Sequence, residues 1–202
     1  MSSPINDQTM KRILLLLNMT FFIFSCSPTF QVKQIDEKKG KLPTDTRLSP
    51  EDIKIDKSIN LQKYNQFLFI SKLGHSTGKY GDYIIGTLKQ IGGFKQYYTQ
   101  PDLERYVIQN NLTEKVTSIS DYIGLSNLQK QIGDFLICET NIVYLGAYTY
   151  TFEFKIIDPS NADVLLDIEH KGFDWSGLDR PLFNPVFNYY IDWLNRDKNI
   201  SQ

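Results

Sequence analysis

The strongest chemical candidate in the chain is Gly74-His75-Ser76-Thr77-Gly78. It fits G-x-S-x-G, in which a tight strand-to-helix turn lifts a serine hydroxyl clear for attack on a carbonyl. Such a serine needs a histidine to take its proton and a carboxylate to orient that histidine. His170 is the only histidine after the motif, and Asp167 precedes it by three positions. Residues three apart on a strand point to opposite faces, so Asp167 and His170 do not converge. Only one strand precedes the motif, and no Gly-rich segment upstream offers an oxyanion hole. A glycine-rich turn is therefore the leading reading, with a small serine hydrolase using Ser76 as the alternative.

The other reactive groups point to less. As a phosphate cradle the same loop is one residue short of G-x-x-x-x-G-K-[ST], and Tyr80 stands where Ser or Thr should bind Mg²⁺. His75 and His170 have no local metal-ligand spacing. Cys138 follows Ile137 in mid-strand and reads as a core thiol. These residues lead us to expect no catalytic residues, no metal and no cofactor: not an enzyme.

Composition narrows the partners. The chain has 202 residues, 22 Lys+Arg, 23 Asp+Glu and a net charge of -1, which gives no global attraction to nucleic acid. A hydrophobic fraction of 41% supplies a core, and two cysteines exclude a disulfide scaffold.

The first cysteine has a distinctive setting. Lys11-Arg12 precede about a dozen mostly apolar residues, Ile13 to Phe24. A membrane-spanning helix needs about 20, whereas a secretory core needs about 7–15 behind a positive region. Ile23-Phe24-Ser25-Cys26 follows, and it resembles the lipobox of bacterial lipoproteins. The resemblance implies cleavage before Cys26 and acylation of Cys26, with residues 1–25 as the signal peptide. Translation from Met1 or from Met10 fits equally. Ser27, where an Asp would retain a protein at the inner membrane, implies the outer membrane, facing the periplasm. Two or three acyl chains anchor stably where one is marginal.

Residues 26–62 are polar and broken by Gly40, Pro43 and Pro50, and they read as the acylated cysteine and a flexible tether. Ile53 and Ile55 leave room for a short edge strand. The domain spans 63–202. Phe67-Leu68-Phe69-Ile70 predicts a buried strand. Tyr80, Ile84, Leu88 and Ile91 predict a helix stopped by Gly92-Gly93. Phe94 to Tyr98 predicts a strand, Pro101 opens a helix, and Ser120 to Gln131 predicts another. Phe135 to Leu145, Tyr148 to Ile156 and Val164 to Ile168 predict strands, the last two alternating with period two. Asn184-Pro185 starts a final helix. The order β-α-β-α-α-β-β-β-α predicts an α+β (mixed α/β) fold with one mixed sheet and helices packed on it.

Aromatics concentrate near the carboxyl end: Phe173, Trp175, Phe183, Phe187, Tyr189, Tyr190 and Trp193. Core packing of the last helix accounts for most of them. Tyr and Trp also bury area while keeping a polar handle, which makes Trp175, Tyr189 and Trp193 the candidate partner-binding residues.

Gly93-Phe94-Lys95-Gln96-Tyr97-Tyr98-Thr99-Gln100-Pro101-Asp102-Leu103-Glu104-Arg105 resembles a helix, Gly-Phe, strand, Asp-Leu-Glu, helix stretch of a group of exported α/β domains. These are the curli secretion-channel lipoproteins, the TolB amino-terminal domain and the lipoprotein activators of bifunctional penicillin-binding proteins. Leu128 to Ile137 and the hairpin Tyr150 to Asp158 with Asp163 to Leu166 also resemble that group, so the likeness covers roughly residues 64–172. Cys138-Glu139 departs from a small-residue pair, and there are no long amphipathic insertions that could form membrane hairpins. The resemblance implies a non-catalytic protein-binding module in cell-envelope biogenesis or assembly, with an envelope protein as partner.

Overall fold

Two helices cover one face of a twisted sheet and two the other, which is how this chain hides two sets of apolar side chains. The computed structural model describes residues 31–64, 66–73, 78–174 and 177–196. Cys26, His75, Ser76 and Trp175 lie outside the described residues. The strands are β1 (Ile53–Asp56), β2 (Phe67–Leu73), β3 (Gln96–Tyr98), β4 (Leu136–Gly146), β5 (Thr149–Asp158) and β6 (Asp163–Phe173). The helices are α1 (Leu61–Tyr64), α2 (Gly78–Ile91), α3 (Gln100–Gln109), α4 (Tyr122–Ile132) and α5 (Asn184–Arg196). A 3₁₀ turn spans Pro50–Asp52, and a π-helical turn spans Asp179–Phe183.

The six strands form one mixed sheet in the order β1-β6-β5-β4-β2-β3. β2 is parallel to β3 and β4, while β4, β5, β6 and β1 run antiparallel. This is the α+β architecture expected. From β2 onward the element order is also the expected one, because helical crossovers make the parallel half and short turns make the antiparallel half.

Local chemistry sets the ends of these elements. Asp102 accepts from the backbone N–H of Thr99 at 3.1 Å, closing a capping box ahead of Pro101 in α3. Asp121 accepts from Gly124 N–H at 2.8 Å to cap α4. Gly124 is obligatory there, because a Cβ would stand 1.8 Å from the Ser118 carbonyl oxygen.

On one face, Phe67, Phe69, Phe135, Ile137 and Ile157 meet Leu103 and Val107 of α3 and Leu125 and Leu128 of α4. Phe67 and Phe135 stack with centroids 4.3 Å apart. On the other face, β5 and β6 offer Phe152, Phe154, Ile156, Leu166 and Ile168, all fully buried. Phe152 meets Phe183 edge-on at 4.9 Å, and Phe154 meets Tyr190 at 5.1 Å. Burying each such ring is worth about 1.5–3 kcal/mol, so this packing dominates stability.

The expectation of a flexible tether over residues 26–62 needs correction for its described part. Contacts group Gln31 onward with the domain. Leu42 is only 2% exposed. Its N–H donates to Asn188 Oδ1 at 2.7 Å, and its carbonyl accepts from Asn188 Nδ2 at 3.0 Å. Asn184 Nδ2 donates to the Pro43 carbonyl at 2.9 Å, and Thr44 donates to the Arg180 carbonyl at 2.6 Å. β1 then pairs with β6, the short edge strand that Ile53 and Ile55 leave room for. The physical reason is that two asparagines one helical turn apart on α5 satisfy the backbone of a polar strap. Composition alone could not distinguish that from solvation.

Candidate functional site

The carboxyl-terminal aromatics hold this strap. Trp193 is 2% exposed, and its indole N–H donates to the Lys57 carbonyl at 2.8 Å. The Tyr189 hydroxyl bonds Asp56, which also takes Arg196 Nη1 at 2.6 and 2.8 Å. The Arg196 guanidinium lies over the Tyr189 ring. Trp193 is thus part of a clasp on the strap instead of an open binding surface, and Tyr189 is engaged beside it.

His170 is 5% exposed and lies between two other segments. Its Nδ1 is 3.1 Å from Asp52 Oδ2 and its Nε2 is 2.9 Å from the Pro181 carbonyl. The ring ties the 3₁₀ turn to the π-helical turn. Asp167 lies on the opposite sheet face and pairs with Lys155 at 3.1 Å. Asp167 and His170 are therefore kept apart, as the strand period predicts. Cys138 is fully buried, and burial first, then Glu139, pushes its thiol well above the ordinary range. A neutral, enclosed thiol is a poor nucleophile. Among the described residues, no three His, Cys, Asp or Glu side chains gather as a metal ion requires.

A second buried polar group is structural. Asp158 accepts from Tyr64 OH at 2.6 Å, Ser160 N–H at 2.9 Å and Gln129 Nε2 at 3.3 Å. Burial alone would raise its carboxyl, but these donors outweigh burial and hold it below the ordinary carboxylate range.

Two further surfaces stand out among the described residues. The first is the antiparallel half of the sheet on the α3/α4 side. Cross-strand register builds three rows there: Asn141–Glu153–Glu169, Glu139–Lys155–Asp167 and Val143–Thr151–Lys171. The middle row alternates in sign. The first row sets Glu153 directly opposite Glu169. Asn141 Nδ2 donates to Glu153 at 3.3 Å, but neither carboxylate has an ion pair among the described residues. Like charges so placed are destabilising by up to about 1 kcal/mol. At the edge of this face the Tyr122 hydroxyl donates to Glu139 at 2.9 Å, and burial, then that bond, push it up to about 12.

The second surface is the end of the β4–β5 hairpin. Tyr144, Leu145, Tyr148 and Phe173 are 60, 52, 63 and 48% exposed. Tyr144 packs on Tyr150 at 5.0 Å, and Tyr148 meets Phe173 edge-on at 6.4 Å. Ala147 and Tyr148 both hold positive φ, 47° and 59°, in the turn that joins β4 to β5. Non-glycine residues there cost about 1–2 kcal/mol each. Sequence reasoning does not flag either surface. The alternation in β4 to β6 marks the faces but not the register, and Ala-Tyr carries no turn signature.

No protein-family model matches the chain, and no curated protein matches its sequence. Among solved structures it is similar to lipoprotein GNA1162 from Neisseria meningitidis, with a TM-score of 0.36 and 13% identity, covering 66% of this chain and 96% of that one. It is also similar to PelC dodecamers from Paraburkholderia phytofirmans in two crystal forms. Their TM-scores are 0.34 and 0.32, each at 14% identity and covering 63% of this chain and 84% of that one.

Proposed function

We propose that this chain is a lipoprotein anchored through Cys26 to the outer membrane, facing the periplasm, and that its domain is a non-catalytic module binding a protein of the cell envelope. One observation carries the binding reading: a sheet face left without a helix among the described residues, with Glu153 set opposite Glu169. Here the chain tolerates a like-charge pair that has no ion-pair partner among the described residues. The row needs cations, so the partner presents Arg or Lys side chains to it. Arg supplies two donors in a planar fork that bridges neighbouring carboxylates. The engagement of His170 by Asp52 and Pro181 supports a non-catalytic reading over a Ser76 hydrolase.

The test is in-cell photo-crosslinking with a benzophenone residue at Glu153 or Glu169, and at exposed Lys95 as the control. The expected result is one shared protein adduct from 153 and 169, absent from 95. Adducts only to abundant porins, equal at all three positions, refute the proposal. A fluorophosphonate probe separates the enzyme alternative: no labelling is expected, and labelling lost on Ser76→Ala favours the hydrolase.

A further inference from the structure

We infer that the cleft beside β3 binds the last residue of an extended polypeptide, an apolar residue whose free carboxylate meets Lys95. The cleft lies on the parallel half of the sheet, away from the Glu153–Glu169 row and opposite to it in charge. The two readings therefore stand or fall separately.

The cleft opens where α3 and the end of α4 leave the first residues of β2 and β3 uncovered. Phe67 and Ile132 form its apolar side, and Tyr98 meets Phe67 edge-on at 5.0 Å and Tyr106 at 5.6 Å. The rest of the lining supplies donors. The Tyr98 hydroxyl donates to the Gln96 side-chain oxygen, which leaves the Gln96 NH₂ as a donor with no partner among the described residues. Exposed Gln66 adds a second amide and Tyr106 a hydroxyl. Lys95 is exposed and has no ion pair among the described residues. Neighbouring carboxylates are engaged elsewhere: Asp102 by Thr99 and Arg105, and Asp134 by Lys63. The described residues that line the cleft include one cation and no carboxylate, so its ligand is an anion.

Size limits that anion. The cleft holds about 150 Å³. Drug-sized ligands occupy about 300–1,000 Å³, so a nucleotide or a large cofactor does not fit. At about 30 Å³ per water the space matches about five waters, or one small amino-acid residue. Phe67 and Ile132 favour an apolar side chain on that residue, and the surrounding donors favour a carboxylate beside it.

The adjoining backbone makes this residue a chain end. β3 is an edge strand, with β2 as its one sheet neighbour among the described residues. The Gln96 N–H donates to the Gln66 carbonyl at 3.2 Å, so Gln96 faces β2. Successive residues of a strand turn their backbone groups to opposite sides. The Tyr97 N–H and C=O therefore face outward, and they take no backbone partner among the described residues. An extended chain pairs there through one N–H and one C=O. Lys95 stands two residues before Tyr97, about 7 Å back along the strand. A chain running antiparallel to β3 brings its carboxyl end to Lys95 one or two residues after that pairing. A parallel chain would bring its amino terminus there, and its ammonium would oppose Lys95.

The test titrates the full chain, in mild detergent, into the peptide fluorescein-Thr-Val-Thr-Leu with a free carboxyl end and reads anisotropy. Thr and Val favour the extended backbone. The carboxamide of the same peptide is the uncharged match. We expect the acid to bind about tenfold more tightly than the amide, the scale of a hydrogen bond to a charged group. Lys95→Gln should weaken the acid about threefold, the scale of an exposed ion pair, and leave the amide unchanged. Lys115→Gln, at an exposed lysine that does not line the cleft, should change neither. Equal affinity of acid and amide overturns the inference, as does an equal loss for both on Lys95→Gln. Absence of binding at millimolar concentration overturns it too. Unlabelled acetyl-Thr-Val-Thr-Leu should displace the probe. Acetyl-leucine or inorganic phosphate displacing it at the same concentration as that peptide overturns a chain-end ligand in favour of a small free anion.

Discussion

Replacing Asn188 with alanine removes the amide that closes the strap on α5. The side chain makes two bonds, accepting from Leu42 N–H at 2.7 Å and donating to the Leu42 carbonyl at 3.0 Å. Both backbone groups sit beside a side chain that is 2% exposed, so water does not replace the amide without opening the strap. Each stranded group costs about 1–1.5 kcal/mol, or about 2–3 kcal/mol together. Alanine returns about 0.5 kcal/mol through its better helix propensity. The net loss is about 2 kcal/mol, which lowers Tm by roughly 4–8 °C in a domain of this size. Calorimetry gives that shift. Limited trypsinolysis gives the local one, because Lys38, Lys39 and Lys41 lie just before the clasp. A variant with unchanged Tm and no faster cleavage at these lysines would show that the strap is held by something other than this amide.

Gly124→Ala should lose at least about 2 kcal/mol in urea denaturation, because the added Cβ meets the Ser118 carbonyl at 1.8 Å and backbone must move. Asp158→Asn should cost about 1.5–3 kcal/mol near neutral pH. Because the folded carboxyl titrates below its unfolded value, its contribution is present above the unfolded value and fades as pH falls through the folded one, so the variant should show a shallower loss of stability in acid than the wild type. Glu169→Lys should raise stability by up to about 1 kcal/mol by turning a like-charge pair with Glu153 into an attractive one, while abolishing the crosslink from position 153.

The sequence carries those features that depend on neighbours along the chain. Alternation from Tyr148 to Ile156 marks one oily face, and Phe152 and Phe154 are indeed fully buried on it. Pro101 and Gly92-Gly93 mark helix ends because backbone geometry is local. The strap escapes notice because its partners, Asn184 and Asn188, lie more than 140 residues away and its own composition is polar. Trp193 illustrates the converse. Its type suggests a binding surface, but the Lys57 carbonyl that takes its N–H belongs to that same distant strap. The Glu153–Glu169 opposition requires cross-strand register, which turn and bulge positions determine.

The pairing of β1 with β6 also bears on when the molecule can finish folding. Ile53 and its partner Ile168 are more than a hundred residues apart, and the clasp residues of α5 come later still. As the chain emerges from a ribosome or a translocation channel, β1 has no partner until almost everything else has appeared. The edge of β6 is covered last, and the strap cannot lock early. Late closure of this kind leaves the strap without its partners until α5 has been made. Once β1 is seated, it covers the edge of β6, which would otherwise offer unpaired backbone groups for strand addition by a second chain.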